Sequence, residues 1–455
     1  MRIELSEPLS LSEIKNALHI NSDTPNNTLF NAITTNSKEC MPGDLFIALN
    51  GAKQSGNDFL FEALKSGAFT LSNTDLYTDI KVDDAEAALL SIAEYYKDKK
   101  LNIKTTVAIT GSVGKTTLKD ILSLILKNKY KTHSTYKNFN NRIGVSYTVL
   151  SAKKETEILI CELGMNHQGE ISALSNALKP DIAVITNIGN AHIGNLGSME
   201  NIAKAKLEIT DGMNKPILVI PYGERLLQPD IPFYSFSDIN ENADCYIEKK
   251  GRKNNSIIVD IRTKSYKLNS VPVNSFSDHI VKALSAAVSV LDIMNIDKDT
   301  VLDGILKINS DIIRAKFIEF CNFRIYDDSY SSSPEAVLSV LKNLKNQSQS
   351  VSCVLGDMLE LGEKAEELHK RIGKAAYEYG YRKIYTFGEF SDFIKEGAIT
   401  AGMNKKDILI NYDINSPSVT AKMILENASL GETILIKASN SVKAYRIIDF
   451  LKTMQ

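Results

Sequence analysis

The stretch Thr105–Leu118, TTVAITGSVGKTTL, contains residue types that bind phosphate, in the order that such binding requires. Val107–Thr110 are apolar or β-branched and predict a buried strand. Leu118–Leu126 have the apolar periodicity of a helix. Between these elements, Gly111 and Gly114 permit a tight backbone turn that other residues resist. The pattern therefore predicts a strand, a glycine turn and a helix, which is the frame of a phosphate-binding loop.

Lys115 and Thr116 follow the glycine turn and supply its chemistry. Backbone N–H groups at a helix N-terminus face an anion, the lysine balances phosphate charge, and the Thr116 hydroxyl can ligate Mg²⁺. Ile109 stands where the longer G-x-x-x-x-G-K-[ST] pattern has its first glycine, so a β-to-α turn with an incidental Lys-Thr pair is the alternative. The flanking elements favour a nucleotide. The residues expected to contact it are Gly111, Ser112, Gly114, Lys115, Thr116 and Thr117.

Length and composition limit the class of protein. A chain of 455 residues is too long for one core and predicts about three domains. Its net charge is −2 with no basic block, which argues against binding to nucleic acid or an anionic membrane surface. The five cysteines form no C-x-x-C pair, and no apolar run approaches the ~20 residues of a membrane span. We therefore expect a cytoplasmic protein without disulfides.

The order of strand and helix signals predicts an α/β protein with three domains. Residues 1–100 form a small α/β unit, with short helices predicted at Leu9–Leu18 and Ala85–Tyr96. Residues 101–311 alternate strand and helix, which is typical of a doubly wound parallel sheet, with an excursion of β-strands at 230–272. Residues 312–455 alternate again and predict a second doubly wound sheet, hinged to the first near 310–315.

Polar residues just after buried strands are the next candidates, because ligands of parallel sheets gather at the strands' carboxyl ends. The segment KNFNNRIG contains Asn138, Asn140 and Asn141, which as loop asparagines can equally be turn formers. Glu162 ends an apolar strand, where a buried carboxylate is costly unless paired or bound to a metal ion. We expect Glu162 to bind Mg²⁺ beside the phosphates.

A glycine-rich segment, TNIGNAHIGNLGS, follows another predicted strand and contains Asn187 and His192. A loop histidine most often faces solvent, but its position after a sheet strand favours a functional role. Lys206 lies on the next predicted helix, Ser198–Met213, where a solvated lysine is the usual outcome. Each signal is weak evidence alone, but their order along one predicted sheet is strong evidence for a common site.

Seven motifs in sequence order carry a family resemblance across nearly the whole chain: TGSVGKTT, KNFNNRIG, ELGMNHQGEI, KPDIAVITNIGNAHIGNLGS, IAKAKLEI, DDSYSSSPEAV and VLGDMLELGE. The chain resembles the Mur ligases, and most closely the branch that adds D-alanyl-D-alanine to UDP-N-acetylmuramoyl-tripeptide. The resemblance implies a UDP-substrate domain at 1–100, a central P-loop ATP-binding domain at 101–311 and a Rossmann-like domain at 312–455. It also implies an ATP-dependent ligase that forms an amide through an acyl phosphate in peptidoglycan precursor synthesis.

The resemblance assigns roles to the candidate residues around ATP and two Mg²⁺ ions. Lys115 would hold the β and γ phosphates, while Thr116 and Glu162 would bind one Mg²⁺. His192 would lie at the second Mg²⁺, and Lys206 matches a family lysine that CO₂ converts into a carbamate, an anionic metal ligand. The two dications would neutralise the repulsion between two anionic reactants.

Further residues match the family's nucleotide and substrate contacts. Arg314 matches a hinge arginine that reaches the phosphates, and Asp328 matches an acid near the nucleotide ribose; Asn187 is expected beside the nucleotide as well. The residues expected to bind the UDP-muramyl peptide or D-alanyl-D-alanine are Ser37, Asn138, Asn140, Asn141 and Ser439. We expect a monomer that acts on these small-molecule substrates and binds neither nucleic acid nor membrane.

Five departures from the family pattern all fall in substrate or adenine pockets. The family's Asp-Ser-Arg is Asn36–Lys38 here, and its Asp-Gly-His is Ser55–Asn57. The helix start near the adenine is altered at Phe276–Lys282, Tyr-Asn-Ala-Asn-Pro is Tyr330–Pro334, and Lys-Gly-Ser-Arg is Lys437–Asn440. An arginine that grips a carboxylate or phosphate in a fork is not equivalent to lysine or asparagine.

Three hypotheses therefore stand at the level of sequence. The first is the cell-wall ligase with altered pockets. The second is a paralogous ligase of the same mechanism that joins a different carboxylate and amine. The third is a catalytically silent nucleotide-binding subunit, against which the retention of Lys115, Thr116, Glu162, His192 and Lys206 argues.

Overall fold

The structure is a computed structural model and describes residues 1–21, 28–51, 54–253, 256–275, 278–309, 316–330 and 332–454. Three sheets of five, nine and six strands organise the chain, and each falls inside one of the three expected ranges. The expected hinge at 310–315, and Arg314 within it, lie outside the described residues. No helix in the described part of the chain is long and apolar enough to cross a membrane.

The first sheet has the order β1-β2-β3-β4-β5, with β1 antiparallel to β2 and the other pairs parallel. Its strands are β1 Arg2–Ser10, β2 Leu29–Thr34, β3 Leu45–Ile47, β4 Phe69–Ser72 and β5 Ile80–Lys81. The helices of this part are α1 Leu11–Ala17, α2 Leu60–Lys65 and α3 Ala85–Lys100. Helix α3 also packs on the second sheet's helices.

The first predicted helix begins two residues later than expected, because Ser10 caps its N-terminus. Ser10 caps α1 because its Oγ accepts a hydrogen bond from Glu13 N at 3.2 Å, while Glu13 Oε2 accepts one from Ser10 N at 2.8 Å. Leu9, expected in the helix, instead belongs to strand β1. The strands β1 and β2 were not among the sequence predictions.

The second sheet has the order β14-β13-β12-β11-β10-β9-β6-β8-β7. Its strands are β6 Thr105–Thr110, β7 Thr132–Ser134, β8 Ile158–Glu162, β9 Ile182–Ile185, β10 Leu218–Pro221, β11 Phe233–Ser237, β12 Cys245–Lys253, β13 Ser256–Arg262 and β14 Lys267–Asn274. Its helices are α4 Lys115–Leu126, α5 Arg142–Leu150, α6 Glu170–Leu178, α7 Ile193–Leu196, α8 Met199–Leu207, α9 His279–Ile293 and α10 Lys298–Leu306.

This sheet is doubly wound, as predicted. Strands β7 to β12 run parallel, and the expected β excursion is present as the antiparallel pairs of β12, β13 and β14. Alternate residues of β6 serve the two faces: Val107 and Ile109 pack with helices α4, α9 and α10, whereas Ala108 lies in the core that includes α5, α6 and α8. The helix predicted at Ser198–Met213 is shorter, since α8 ends at Leu207 and a 3₁₀ turn follows.

The third sheet has the order β15-β16-β20-β17-β18-β19, parallel apart from the edge strand β15. Its strands are β15 Lys316–Glu319, β16 Phe323–Asp327, β17 Val351–Gly356, β18 Ile384–Phe387, β19 Ile408–Asn411 and β20 Glu432–Lys437. Its helices are α11 Pro334–Gln347, α12 Ala365–Glu378, α13 Ser391–Ala401, α14 Pro417–Asn427 and α15 Tyr445–Thr453. Helices cover both faces, so this sheet is also doubly wound.

Candidate active site

The phosphate loop, Gly111–Thr117, joins β6 to α4 at the centre of the second sheet. Gly111 has φ +143°, and a Cβ at this position would lie 1.9 Å from Thr186 Oγ1, so no larger residue fits. Gly114 has φ +86° and precedes α4, whose N-terminus carries no side-chain cap. Lys115 Nζ donates a hydrogen bond to Gly111 O at 2.6 Å, which folds the ammonium back over the loop.

Asn187 holds the phosphate loop from the neighbouring strand β9. Its side-chain Oδ1 accepts a hydrogen bond from Val113 N at 2.8 Å, and its backbone O accepts one from Ser112 N at 3.2 Å. Thr186 Oγ1 donates to Val113 O at 2.6 Å. These contacts use the N–H groups of the turn and leave the first turn of α4, with Thr116 and Thr117, to face an anion.

Glu162 ends β8 with 2% of its surface exposed, beside the first turn of α4. Its Oε2 accepts a hydrogen bond from Thr116 Oγ1 at 2.7 Å and its Oε1 accepts one from Asn140 Nδ2 at 2.9 Å. Both partners are neutral, and no lysine, arginine or histidine among the described residues forms an ion pair with Glu162. A buried carboxylate with only neutral partners is the environment in which a bound cation compensates most.

These donors fit Mg²⁺. The Glu162 carboxylate and the Thr116 hydroxyl provide the hard oxygen atoms that this ion prefers, and Mg²⁺ in nucleotide sites uses one or two carboxylates with phosphate oxygens completing its shell. Within the part of the chain that the structure describes, no three His, Cys, Asp or Glu side chains gather to hold a metal ion without such help. The set Thr116, Glu162 and Asn140 therefore fits a phosphate-bound Mg²⁺ and not a self-contained metal site.

Lys206 on α8 is buried, with 1% of its surface exposed, so the alternative of a solvated helix lysine is wrong. No carboxylate or carbonyl in the described residues accepts a hydrogen bond from its amine. Burial lowers the pKa of Lys206 well below its usual value, and the positive charge of Lys115 lowers this pKa further. The side chain is thus a buried amine whose charged form is disfavoured by burial and by the nearby Lys115 of the phosphate loop.

His192 precedes α7 in a left-handed conformation, with φ +66°. Its side chain is 23% exposed, and its Nδ1 lies 2.6 Å from Oε2 of Glu360 in the third domain. The imidazole contact lowers the pKa of the Glu360 carboxyl. His192 therefore contacts a carboxylate of the third domain and does not simply face solvent.

The remaining asparagines of KNFNNRIG separate into different environments. Asn140 faces Glu162, as above. Asn141 caps α5, because its Oδ1 accepts a hydrogen bond from Gly144 N at 2.9 Å, and Asn138 is exposed. In the first domain, Ser37 is buried and its Oγ donates to Glu62 Oε2 at 2.6 Å.

The third domain contributes two of the expected site residues. Asp328 follows β16 and pairs with the buried Lys437, whose Nζ lies 2.7 Å from Asp328 Oδ2. Ser439 follows β20, and its Oγ accepts a hydrogen bond from Leu359 N at 3.0 Å. Arg314, expected at the phosphates, lies outside the described residues.

Three residues that the sequence analysis did not select join the second and third domains beside the phosphate loop. Asn190 N donates to Glu335 Oε1 at 3.2 Å, and Asn190 Nδ2 donates to the same oxygen. Glu360 contacts His192, and its backbone O accepts a hydrogen bond from Gly194 N at 3.1 Å. Ser112 of the phosphate loop contacts this segment too, since its Oγ accepts from Gly189 N at 2.9 Å. The available signals were the position of Glu360 in the loop after the buried strand β17 and that of Glu335 in the first turn of α11.

Comparison with known proteins agrees with this arrangement. Residues 109–291 match the family model of the Mur ligase middle domain, and residues 313–440 match that of the Mur ligase glutamate ligase domain. The UDP-N-acetylmuramoyl-tripeptide–D-alanyl-D-alanine ligase of Bacillus subtilis (strain 168) is 31% identical over 446 residues, covering 92% of this chain and 93% of that protein. The enzyme of the same name from Rickettsia prowazekii (strain Madrid E) is 30% identical, with 92% and 95% covered.

Solved structures extend the similarity to the whole fold. A crystal structure of MurF from Acinetobacter baumannii has a TM-score of 0.87 at 25% identity and covers 99% of this chain and 100% of that one. MurF from Thermotoga maritima, in complex with ADP, has a TM-score of 0.80 at 26% identity, covering 92% and 97%. The matched family models and the curated relatives cover both the phosphate-loop domain and the domain that docks on it, and the chain belongs to the Mur ligase family.

Proposed function

We propose that this protein is an ATP-dependent ligase that adds D-alanyl-D-alanine to UDP-N-acetylmuramoyl-tripeptide, releasing ADP and phosphate, in peptidoglycan precursor synthesis. Relatives that carry this activity in their names align over more than nine tenths of the chain. The observation that carries the proposal is the set Glu162, Thr116 and Asn140, in which the buried Glu162 carboxylate accepts hydrogen bonds from Thr116 of the phosphate loop and from Asn140. That set combines a nucleotide cradle with one uncompensated buried carboxylate.

The reaction divides into two displacements. A carboxylate oxygen of the peptide attacks the γ-phosphorus, the bond to the β-phosphate oxygen breaks, and ADP leaves. The amine of the dipeptide then attacks the acyl carbon of the resulting acyl phosphate, inorganic phosphate leaves, and the nitrogen loses a proton. Both substrates of the first step are anions, so positive charge beside the γ-phosphate lowers the barrier. Lys115 provides that charge from the phosphate loop.

We assign a Mg²⁺ ion to Thr116, Glu162 and the phosphates, with Asn140 orienting the carboxylate. A second Mg²⁺ is assigned to His192 and a modified Lys206. Bound Mg²⁺ supplies Lewis-acid neutralisation of phosphate and carboxylate oxygens. The first turn of α4 would face the phosphates, and His192, whose Nδ1 lies 2.6 Å from Glu360 Oε2 of the third domain, would hold the second ion.

A carbamate on Lys206 is part of this proposal. The neutral amine of Lys206 attacks CO₂, a C–N bond forms, and one proton is released, which yields an anionic oxygen ligand. The burial of Lys206, its depressed pKa and the absence of a carboxylate partner in the described residues support this role. A carbamate would turn this buried amine into an anionic oxygen ligand.

The remaining assignments follow the domain order. We propose that residues 1–100 bind the UDP moiety with Ser37, that 101–311 bind ATP, and that 312–455 bind the dipeptide with Ser439. Asn138 and Asn141 are proposed to border the substrate through their loop, with Arg314 at the phosphates and Asp328 beside the nucleotide ribose. We also propose a cytoplasmic monomer that acts on small molecules and binds neither nucleic acid nor membrane.

A paralogous ligase is the second candidate, because Asn36–Lys38 and Lys437–Asn440 depart from the family's substrate motifs. The test is ATP-dependent phosphate release over a panel of UDP-muramyl peptides, each with D-alanyl-D-alanine or another amine. We expect release only when UDP-N-acetylmuramoyl-tripeptide and D-alanyl-D-alanine are both present. Release with a different acid and amine would identify a paralogue, and no release with any pair would support the silent nucleotide-binding subunit.

We expect Lys38→Ala to raise the KM for the UDP substrate about fivefold with little change in kcat. Lys38 is exposed beside the buried Ser37, so its ammonium is a single point charge available to the diphosphate. Loss of one hydrogen bond to a charged group corresponds to roughly 1 kcal/mol, and loss of uniform binding appears in KM. Steady-state kinetics with varied UDP substrate measure both constants.

Lys81→Ala is the matched control, since Lys81 is an exposed lysine of the same domain that pairs with Asp75. We expect its KM to equal that of the wild-type protein. Calorimetry completes the test: absence of saturable UDP-substrate binding at millimolar concentration, in a preparation that binds ATP·Mg²⁺, would contradict the cell-wall assignment.

A further inference from the structure

The glycine-acid loop of the third domain, Asp357–Gly362, docks on the loop that carries His192. Glu360 makes two contacts there: its backbone O accepts a hydrogen bond from Gly194 N at 3.1 Å, and its Oε2 lies 2.6 Å from His192 Nδ1. The proposed reaction does not by itself require this loop, because none of its residues belongs to the assigned nucleotide or metal contacts. The Glu360 carboxylate nevertheless contacts His192, which is assigned to the second Mg²⁺ ion.

The docking surface has no spare room. A Cβ on Gly194 would lie 2.5 Å from Gly362 N, and a Cβ on Gly362 would lie 2.7 Å from Gly194 Cα. Glu360 itself adopts φ +64°, a left-handed conformation that residues other than glycine rarely adopt. The left-handed backbone at Glu360 and the close approach of the two glycines place this carboxylate beside the His192 imidazole.

The same loop reaches the proposed dipeptide site on its other side. Leu359 N donates to Ser439 Oγ at 3.0 Å, and Ser439 N donates to Asp357 O at 3.0 Å. Asp357 and Leu359 thus contact Ser439, while the adjacent Glu360 contacts His192 and Gly194. A shift of the third domain therefore moves the partner of His192 and the dipeptide site together.

We infer that Glu360 is a positioning residue that fixes the His192 imidazole for metal binding, so that the second metal site is complete only when the third domain is docked. This inference rests on the proposed function. Because Nδ1 lies 2.6 Å from the Glu360 carboxylate, Nε2 is the nitrogen left for the metal ion. A carboxylate on the far nitrogen of a metal-bound histidine fixes the ring and its tautomer, and its removal typically costs 10–100-fold in metal affinity.

The chain offers a matched control at the same domain interface. Glu335 also belongs to the third domain and docks on Asn190, two residues from His192 along the chain, but does not contact the imidazole. Glu335→Ala therefore weakens docking without removing the partner of His192. Glu360→Gln keeps a side-chain oxygen that can accept a hydrogen bond from Nδ1–H, so it serves as the conservative variant.

The experiment measures Mn²⁺ affinity, by electron paramagnetic resonance, in the presence of a non-hydrolysable ATP analogue. We expect Glu360→Ala to weaken the histidine-dependent Mn²⁺ site at least tenfold. Glu335→Ala should weaken it less than about threefold, and Glu360→Gln should restore affinity to within about threefold of the wild-type protein. In a His192→Ala background, Glu360→Ala should have no further effect.

Several results would overturn the inference. Wild-type Mn²⁺ affinity in Glu360→Ala would do so, as would equal losses in Glu335→Ala and Glu360→Ala, which would indicate docking alone. An additional loss in the His192→Ala background would mean that Glu360 acts elsewhere. Failure of the wild-type protein to bind the analogue with Mn²⁺ would instead overturn the proposed function, and the inference with it.

Discussion

Lys115→Ala is expected to reduce ATP-dependent ligation by at least a thousandfold while the protein remains folded. The side chain lies in the phosphate loop, where it donates a hydrogen bond to Gly111 O, and it is no part of the apolar core, so its removal leaves that core intact. Positive charge aimed at a transferring phosphoryl group supplies several kcal/mol of the stabilisation on which the reaction depends. Phosphate release with both substrates at saturation gives the rate, and thermal unfolding reports the fold.

Lys129→Ala is the control for that variant. Lys129 lies just beyond the other end of α4 and pairs with Asp297 on the surface, both half exposed. Exposed pairs of this kind contribute little, so we expect wild-type activity and almost unchanged stability. Ligation by Lys115→Ala at a rate near that of the control would refute the role of the phosphate loop in ATP use.

Local signals in the sequence were sufficient for the elements that carry the phosphate loop. The strand and helix around Gly111–Thr117 appear where apolar periodicity placed them, and the predicted helix Ala85–Tyr96 is the first part of α3, Ala85–Lys100. Strand β6 lies in the interior of its sheet, and both helices bury an apolar face. Strand β1 escaped prediction because about half of its residues are polar and it lies at the edge of a small sheet.

The candidate site was less predictable where two adjacent residues of the same type make different contacts. Asn140 and Asn141 are adjacent and chemically identical, yet one orients Glu162 while the other caps α5. Which asparagine does which depends on where the helix begins, and helix ends are the least certain part of a sequence prediction. Asn187 likewise holds the phosphate loop through its amide, a contact that follows from strand order in the folded sheet.

The contacts between domains could not be predicted from the sequence, for a different reason. Glu335 meets Asn190 across 145 residues of chain, and Glu360 meets His192 across a comparable separation. No local propensity encodes such a meeting, because it depends on how two independently folded sheets pack. The family motifs indicated that these loops matter, but the pairing of particular side chains required the structure.

Lys206→Met is expected to abolish ligation and, at neutral pH, to raise the midpoint of thermal unfolding. Activity falls by at least a hundredfold because the proposed anionic metal ligand is lost. Stability rises because methionine fills a similar volume without a buried amine that lacks an acceptor among the described residues. Activity and stability thus move in opposite directions, which a purely structural lysine would not produce.

The pH dependence of this difference has a definite sign. Folding lowers the pKa of Lys206, so the unfolded chain binds the proton more tightly, and the folded state loses stability as pH falls below the unfolded value of about 10.4. In CO₂-free buffer, the stability advantage of Lys206→Met should therefore shrink as pH is raised from 7 towards 10. Unfolding midpoints over this pH range, with the exposed neighbour Lys204→Met as control, measure the trend.

Chemical rescue separates a carbamate from a lysine that acts as an amine. Lys206→Ala leaves a cavity at the proposed ligand position, and formate or acetate added in solution can place a carboxylate oxygen there. We expect these anions to restore part of the activity of Lys206→Ala in a saturable manner and to have no effect on Lys115→Ala. Rescue by methylamine, or full activity without an additive, would contradict the carbamate, because the missing group would then be a cation or no group at all.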